Sequence, residues 1–204
     1  MRKIILIHSI LLSIIFFSFQ ERKKTILFFG DSITAGYGLD PQYAFPELVK
    51  KELSNQGYSI EVINAGLSGE TSAGGASRID WVLRQPVDVF ILELGGNDGL
   101  RGLPLEQTKK NLQSIIDRVK KHNSNVKIII AGMMVPPNLG KDYSDNFKKI
   151  FPELASRNNT ELIPFILEGV AGDEKLNLND GIHPNVEGHK IVANTVIKKI
   201  TKLL

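Results

Sequence analysis

The sequence predicts one α/β domain, with a mostly parallel five-stranded sheet between two layers of helices. Two observations predict this fold class. Short, nearly continuous apolar runs alternate along the chain with longer amphipathic segments, and such runs are typical of parallel strands that are covered on both faces. The length of 204 residues is enough for one domain with a substantial core, but is short for two.

Five apolar runs are the strand candidates, and the amphipathic segments between them are the helix candidates. The strands are predicted at residues 25–29 (TILFF), 59–63 (SIEVI), 87–94 (VDVFILEL), 126–134 (VKIIIAGMM) and 160–163 (TELI). The helices are predicted at residues 44–56, 75–83, 106–121, 144–158 and 184–203, with Pro184 in the first position of the last helix. This βαβαβαβαβα pattern favours a three-layer α/β/α domain with the flavodoxin-like strand order 2-1-3-4-5.

The first twenty residues differ in composition from the rest of the chain. Arg2 and Lys3 precede an apolar run at positions 4–19 that ends in a charged cluster. A basic start followed by a short apolar run is typical of a secretory signal peptide. Because no Ala-x-Ala type of cleavage site follows, an uncleaved membrane anchor is the alternative. We therefore expect residues 1–20 to direct the protein to the periplasm or out of the cell, and residues 21–204 to form the domain.

Composition and charge exclude several classes of protein. Hydrophobic residues make up 42% of the chain and charged residues 23%, which argues against disordered and fibrous proteins. The chain has no cysteine, so disulfides, thiolate zinc sites and a cysteine nucleophile are excluded. Arg2 and Lys3 are the only charged residues of the leader, and without them the formal net charge of +3 becomes +1. A nearly neutral domain gives no electrostatic reason to expect nucleic acid as a partner.

Four polar loops that contain glycine are predicted to meet at one edge of the sheet. Ligands of open parallel sheets bind beyond the carboxyl ends of the strands. With strand 1 between strands 2 and 3, Ser32 would be central, with Gly69 on one side and Asn97 on the other. The last helix would then bring His183 above Ser32. The loops are residues 30–32 (GDS), 64–69 (NAGLSG), 95–98 (GGND) and 180–184 (DGIHP).

These residue types suit acyl transfer to a serine. A serine hydroxyl is a weak nucleophile until a base accepts its proton, and His183 can be that base for Ser32. Asp180, three residues earlier, can hold the imidazole in the right tautomer. The oxyanion of the tetrahedral intermediate needs preorganised donors. The backbone N–H groups of Ser32 and Gly69 and the side-chain amide of Asn97 can supply them.

Each motif also has an ordinary structural explanation. Gly-Asp-Ser is a common turn before a helix, and Asp-x-x-His can be a helix cap. Their joint occurrence, each beside a strand or helix end, favours the catalytic interpretation. The competing nucleophile is Ser68, but its surroundings narrowly miss the Gly-x-Ser-x-Gly pattern because Glu70 replaces the last glycine.

The four loops resemble the blocks of the SGNH/GDSL hydrolase superfamily, in the family's order and from Ile26 to the C-terminal helix. The segment ELGGNDGLRG at positions 93–102 is most similar to the bacterial periplasmic acyl-CoA thioesterase/lysophospholipase/arylesterase subgroup. Glu70 departs from the aspartate that this subgroup often carries there. The resemblance implies a three-layer fold, no metal or other cofactor, and acyl transfer through an ester of Ser32.

The resemblance further implies hydrolysis of small acyl esters or thioesters, such as lysophospholipids, acyl-CoA, or aryl and short-chain esters. A carbohydrate O-deacetylase and a non-catalytic binding module are the alternatives. We expect a monomer that contacts membrane lipid transiently. Arg101 is expected either to meet an anionic part of the substrate or to have only a surface role. An acyl chain needs an apolar groove, and its candidate residues are Leu100, Leu103, Met134, Pro136, Phe165 and Ile166.

Overall fold

The protein is described by a computed structural model that covers residues 22–204. Five strands form one parallel sheet in the order β2-β1-β3-β4-β5, which confirms the predicted fold class and strand order. The expected leader at residues 1–20 lies outside the described residues. The strands are β1 (Lys24–Gly30), β2 (Ile60–Gly66), β3 (Val89–Glu93), β4 (Lys127–Ala131) and β5 (Glu161–Ile163).

Helices cover both faces of the sheet. They are α1 (Ser32–Ala35), α2 (Phe45–Asn55), α3 (Ser72–Val82), α4 (Gly96–Leu100), α5 (Leu105–His122), α6 (Lys141–Phe147), α7 (Ile150–Asn158) and α8 (Val186–Ile200). Short 3₁₀ turns occupy Pro41–Tyr43 and Pro137–Leu139. None of the helices in residues 22–204 is both long and apolar enough to cross a membrane.

The centre of the core is β1, whose side chains pack into both helical layers. Phe28 and Phe29 are both 0% exposed. The Phe28 ring meets the ring of Phe45 on α2 edge to face, with 5.4 Å between centroids. The guanidinium of Arg78 on α3 lies 4.2 Å from the centre of the Phe29 ring. Because successive side chains of a strand point to opposite faces, α2 and α3 lie on opposite sides of the sheet.

Two boundaries near the site differ from the sequence-based expectation. The fourth strand ends at Ala131 rather than at position 134, because β5 ends at Ile163, whose carbonyl accepts the N–H of Gly132, and the carbonyl of Gly132 then accepts the N–H of Ile166 beyond that strand. The last helix begins at Val186, so Pro184 precedes the helix instead of occupying its first position. Asn185 caps this helix, accepting the N–H groups of the second and third helical residues through its side-chain oxygen.

Two further helix predictions were wrong in their limits. The helix expected at residues 75–83 is α3, which begins at Ser72. The side chain of Thr71 accepts the N–H of Gly74 and caps the helix there. The helix expected over residues 144–158 is two helices, α6 and α7, separated at Lys148 and Lys149.

Candidate active site

Three side chains from two distant parts of the sequence form a continuous chain of hydrogen bonds. Ser32, the first residue of α1, places its Oγ 2.9 Å from Nε2 of His183. The other ring nitrogen, Nδ1, lies 2.7 Å from Oδ2 of Asp180. A carboxylate can accept but not donate, so Nδ1 carries the proton and Nε2 faces Ser32 as an acceptor. This is the arrangement in which an imidazole can take the proton of a serine hydroxyl.

The loop before α8 holds Asp180 and His183 in this arrangement. Oδ1 of Asp180 accepts the backbone N–H groups of Ile182 at 2.9 Å and of His183 at 3.0 Å. The backbone N–H of His183 lowers the pKa of Asp180 most, burial opposes it, and the backbone N–H of Ile182 and the imidazole lower it further, to about 2. Gly181 has a φ of +69°, a conformation that glycine adopts without strain. Asp180 therefore stays ionised while it orients the imidazole.

The loops after β1, β2 and β3 bring the expected oxyanion donors to the same edge of the sheet. Gly30 pairs in register with Gly66, and the N–H of Leu67 donates to the carbonyl of Gly30 at 2.9 Å. Asn97, in α4 directly after β3, donates from Nδ2 to Oδ2 of Asp31 at 3.1 Å. Within residues 22–204 the amide N–H groups of Ser32 and Gly69 donate no hydrogen bond, so both are available to a ligand.

Two buried carboxyl groups support the turn that carries the serine. Asp31 is 2% exposed and Glu93 is 1% exposed. Oδ1 of Asp31 accepts the N–H of Ile33, while Oε2 of Glu93 accepts the hydroxyl of Thr34 at 2.7 Å and the N–H of Asp31 at 3.3 Å. Burial raises the pKa of Glu93 well above its usual range, and the neighbouring Asp31 raises it further. Burial likewise raises the pKa of Asp31. Glu93 thus holds α1 against β3, while Asp31 also lines the cavity beside Ser32.

A cavity of about 400 Å³ opens beside the hydrogen-bonded chain. Its polar lining is Asp31, Ser32, Asn97 and His183, and the rest of its wall is largely apolar. The apolar side chains of the lining are Ile33, Leu100, Met133, Met134, Pro136, Phe165, Leu167, Ala171 and Ile182. Four residues expected from the sequence to contact an acyl chain are thus in the wall: Leu100, Met134, Pro136 and Phe165.

Other residues expected near the substrate have different surroundings. Leu103 does not line this cavity, and its carbonyl accepts the hydroxyl of Tyr143 at 2.9 Å. Ile166 is 0% exposed and belongs to the core. Gly69 lies outside the cavity lining as well, but it is linked to the site by Arg101, whose guanidinium donates to the carbonyl of Gly69 at 3.0 Å.

The structure also places a residue at the site that the motifs do not indicate. The ring of Tyr37 lies against the imidazole of His183, with 4.5 Å between centroids and 38° between planes. Tyr37 follows Gly36, whose φ of +76° turns the chain back over α1. Nothing in the local hydrophobic pattern signals this contact. Glu93 had a visible signal, since it is a carboxylate within an otherwise apolar run.

No group of three or more His, Cys, Asp and Glu side chains in the described part of the chain is arranged to hold a metal ion.

The comparisons with known proteins agree with the motifs. Residues 28–191 match the GDSL-like Lipase/Acylhydrolase family. "Esterase TesA" of Pseudomonas aeruginosa (strain PAO1) is 36% identical over 194 residues, covering 95% of this chain and 96% of that protein. "Thioesterase 1/protease 1/lysophospholipase L1" of Escherichia coli (strain K12) is 35% identical over 181 residues, covering 88% of this chain and 85% of that protein.

A solved structure extends the agreement to the fold. The crystal structure of TesA matches with a TM-score of 0.84 at 37% identity, covering 89% of this chain and 100% of that one. Sequence motifs, strand order and these matches lead to one assignment: the chain belongs to the GDSL-like lipase/acylhydrolase family of SGNH hydrolases.

Proposed function

We propose that the protein hydrolyses acyl esters or acyl thioesters through an acyl intermediate on Ser32. The observation that carries this proposal is the hydrogen-bonded chain Asp180–His183–Ser32, in which Ser32 and His183 line a largely apolar cavity. The relatives named esterase and thioesterase/lysophospholipase support the same class of substrate.

In the first half of the reaction, Oγ of Ser32 attacks the acyl carbon while Nε2 of His183 accepts the hydroxyl proton. Asp180 stabilises the imidazolium that forms. The carbonyl oxygen becomes an oxyanion, which accepts hydrogen bonds from the N–H groups of Ser32 and Gly69 and from the amide of Asn97. When the intermediate collapses, the bond to the leaving oxygen or sulfur breaks and His183 protonates that leaving group.

In the second half, a water molecule takes the place of the leaving group. His183 accepts a proton from this water as its oxygen attacks the acyl carbon of the Ser32 ester. The second oxyanion uses the same donors as the first. Collapse releases the carboxylic acid and returns the proton from His183 to Oγ of Ser32, which restores the resting enzyme.

The apolar wall of the cavity favours acyl chains over acetyl groups on a sugar. Burial of each CH₂ contributes about 0.8 kcal/mol, or roughly a fourfold gain in kcat/KM per CH₂ where the chain fits. An O-deacetylase would gain nothing from Met133, Phe165 and Leu167. We therefore propose that longer acyl chains are preferred until the cavity is filled.

A panel of substrates tests this proposal. Acyl esters and thioesters from acetyl to palmitoyl, together with acetylated sugars, would be compared with the wild-type protein, Ser32→Ala and Ser68→Ala. We expect kcat/KM to rise with chain length, Ser32→Ala to abolish turnover and Ser68→Ala to retain it. Faster turnover of acetylated sugars than of any longer ester would indicate a deacetylase, and turnover by Ser32→Ala would exclude the mechanism.

Export and lipid contact belong to the same proposal. The leader at residues 1–20 supports action in the periplasm or outside the cell, either free or anchored.

Apolar side chains at the cavity are exposed: Leu100 by 46%, Met134 by 44% and Ile182 by 49%. We propose that a monomer touches lipid transiently through these side chains. Light scattering and vesicle co-sedimentation, with Ile182→Asp as the variant that should lose binding, would test both statements.

A further inference from the structure

One guanidinium group connects the two loops that carry the expected oxyanion donors. Nη2 of Arg101 lies 3.0 Å from the carbonyl oxygen of Gly69 and 3.5 Å from Oδ1 of Asn97. Arg101 follows α4, four residues after Asn97, so the two side chains share one face of that turn. Nη2 has two hydrogens, one for each of these acceptors.

The contact between Nη2 of Arg101 and Oδ1 of Asn97 helps to fix the orientation of the Asn97 side-chain amide. Its Nδ2 donates one hydrogen to Asp31 at 3.1 Å, and its Oδ1 faces Arg101. A flipped amide would put Oδ1 against the carboxylate of Asp31 and Nδ2 against the guanidinium, and both contacts would be unfavourable. The amide therefore has one preferred orientation, in which the second hydrogen of Nδ2 is free to meet a substrate in the cavity that Asn97 lines.

The contact also restrains Gly69, which has little else to fix it. Gly69 is exposed and has a φ of +78°. A glycine in a surface turn has access to more backbone conformations than any other residue. The bond from Arg101 to its carbonyl ties this residue to α4, and so to the loop that carries Asn97.

We propose that Arg101 is a positioning residue that holds the oxyanion donors Gly69 and Asn97 in register across two separate loops. The inference rests on the proposed function, since it concerns the donors of that reaction. It is an alternative to the expectation that Arg101 meets an anionic group of the substrate, because the two Nη2 hydrogens are directed at acceptors of the protein itself.

The test compares kcat and KM for a neutral chromogenic ester and for a polyanionic acyl-CoA. The variants are Arg101→Met, Arg101→Lys, Asn97→Ala and the double variant of Arg101→Met with Asn97→Ala. Loss of one oxyanion donor costs roughly 10²–10³ in kcat, and we expect Arg101→Met to lower kcat by roughly 10-fold to 100-fold on both substrates, with little change in KM. Arg101→Lys keeps the charge but lacks the planar fork, so it should fall between wild type and Arg101→Met.

The double variant shows whether Arg101 acts through Asn97. If it does, Arg101→Met should cost much less in the Asn97→Ala background than in the wild-type background. Arg84→Met is the matched control, because Arg84 is an exposed arginine just after the far end of α3, and its kcat should equal that of wild type. Thermal unfolding of every variant separates a catalytic defect from a loss of folding.

The outcomes that overturn the inference are distinct. A higher KM for acyl-CoA, with kcat for the neutral ester unchanged, would make Arg101 a substrate-binding residue. Full additivity with Asn97→Ala would show that Arg101 does not act through that amide. If Asn97→Ala lowers kcat but Arg101→Met does not, only the positioning role fails. If Asn97→Ala itself leaves kcat unchanged, the oxyanion assignment in the proposed function fails, and this inference fails with it.

Discussion

At the scale of single residues, Asp180 combines a structural and a chemical task. One carboxylate oxygen accepts two backbone N–H groups of its own loop, and the other accepts Nδ1–H of His183. These bonds lower the pKa of Asp180 to about 2. A carboxylate with a lowered pKa stabilises the fold at all pH values above its unfolded pKa, and that contribution is lost only as the pH falls toward 2. Titration of Asp180 therefore does not limit activity near neutral pH.

Replacing Asp180 by asparagine should remove control of the imidazole tautomer and leave the loop intact. The amide oxygen can still accept the two N–H groups, but the amide nitrogen cannot accept Nδ1–H. We expect kcat to fall by about 10⁴ with little change in KM, as in other serine triads. Asp173→Asn, at an exposed acid of the preceding loop, is the matched control in steady-state kinetics. Near-normal turnover by Asp180→Asn would remove Asp180 from the mechanism.

The motifs predicted which residues meet at the site better than they predicted its supporting contacts. Ser32, Asn97 and His183 are in motifs whose order is visible in the sequence. The partner of Arg101 could not be predicted from spacing, because the carbonyl of Gly69 is 32 residues away and is brought close only by the pairing of β1 with β2 and β3. The contact of Tyr37 with His183 could not be predicted either, because it depends on the backbone conformation of Gly36.

At the scale of elements, the start of α8 ties the catalytic loop to the fold. The side-chain oxygen of Asn185 caps the helix, and its Nδ2 donates to the carbonyl of Lys175 at 2.8 Å. The N–H of Leu178 donates to the carbonyl of His183 at 2.7 Å. A Cβ on Gly188 would lie 2.3 Å from the carbonyl oxygen of Leu176. Because residue 188 is a glycine, α8 can pack directly against the backbone of the loop that precedes it.

The cap should contribute measurably to stability. Asn185→Ala removes the acceptor for two helical N–H groups and should lower the free energy of unfolding by about 1 kcal/mol. Asn185→Asp keeps the acceptor and loses only the bonds from Nδ2 to the carbonyls of Lys175 and Asn177, so it should recover part of that loss. Urea unfolding measures both variants. Equal stability of Asn185→Ala and wild type would mean that water satisfies the helix end equally well.

A buried histidine on α8 makes the packing of α8 on α2 sensitive to pH. His189 is 1% exposed, and its Nδ1 accepts the N–H of Phe45 at 3.2 Å. Burial, with a smaller effect of His183, lowers its pKa to about 4. Between that value and the unfolded pKa of about 6.5, the unfolded chain binds the extra proton. The contribution of the neutral His189 side chain to the stability of the fold is therefore complete above pH ~6.5 and is lost as the pH falls toward 4.

The effect of His189 protonation on stability can be measured by comparing the unfolding free energies of wild type and a variant that does not titrate. The two pKa values imply a loss of up to about 3 kcal/mol between neutral pH and pH 4. His189→Gln keeps a possible acceptor for Phe45 but does not titrate, so the difference in unfolding free energy between wild type and variant should shrink as the pH is lowered. A difference that does not change with pH would show that His189 is protonated without cost in the fold.

Apolar periodicity predicted the five strands and the longer helices, but it missed the short helices α1 and α4 and some of the element ends. The break between α6 and α7 is invisible to it, because Phe147, Ile150, Phe151 and Leu154 continue one buried stripe across the break. The end of β4 was missed for a related reason. The two methionines after Gly132 are apolar, but they follow the turn toward the cavity rather than the sheet.

At the scale of the whole molecule, the leader and the domain should be separable. The guanidinium of Arg22 pairs with the carboxylate of Asp88 at 2.6 Å, and β1 starts two residues later, at Lys24. A chain that begins at Glu21 should therefore be soluble and fully active, as circular dichroism and ester hydrolysis would show. Failure of this shortened chain to fold would mean that the first twenty residues belong to the domain.

The central claim is that Ser32 is the nucleophile and that His183 activates it. The most direct measurement is mass spectrometry of the protein after reaction with a fluorophosphonate, with the adduct located by peptide mapping. We predict one adduct, on Ser32, that is absent from Ser32→Ala and forms far more slowly in His183→Ala. An adduct on Ser68, or equal labelling of Ser32 with and without the imidazole, would contradict the account.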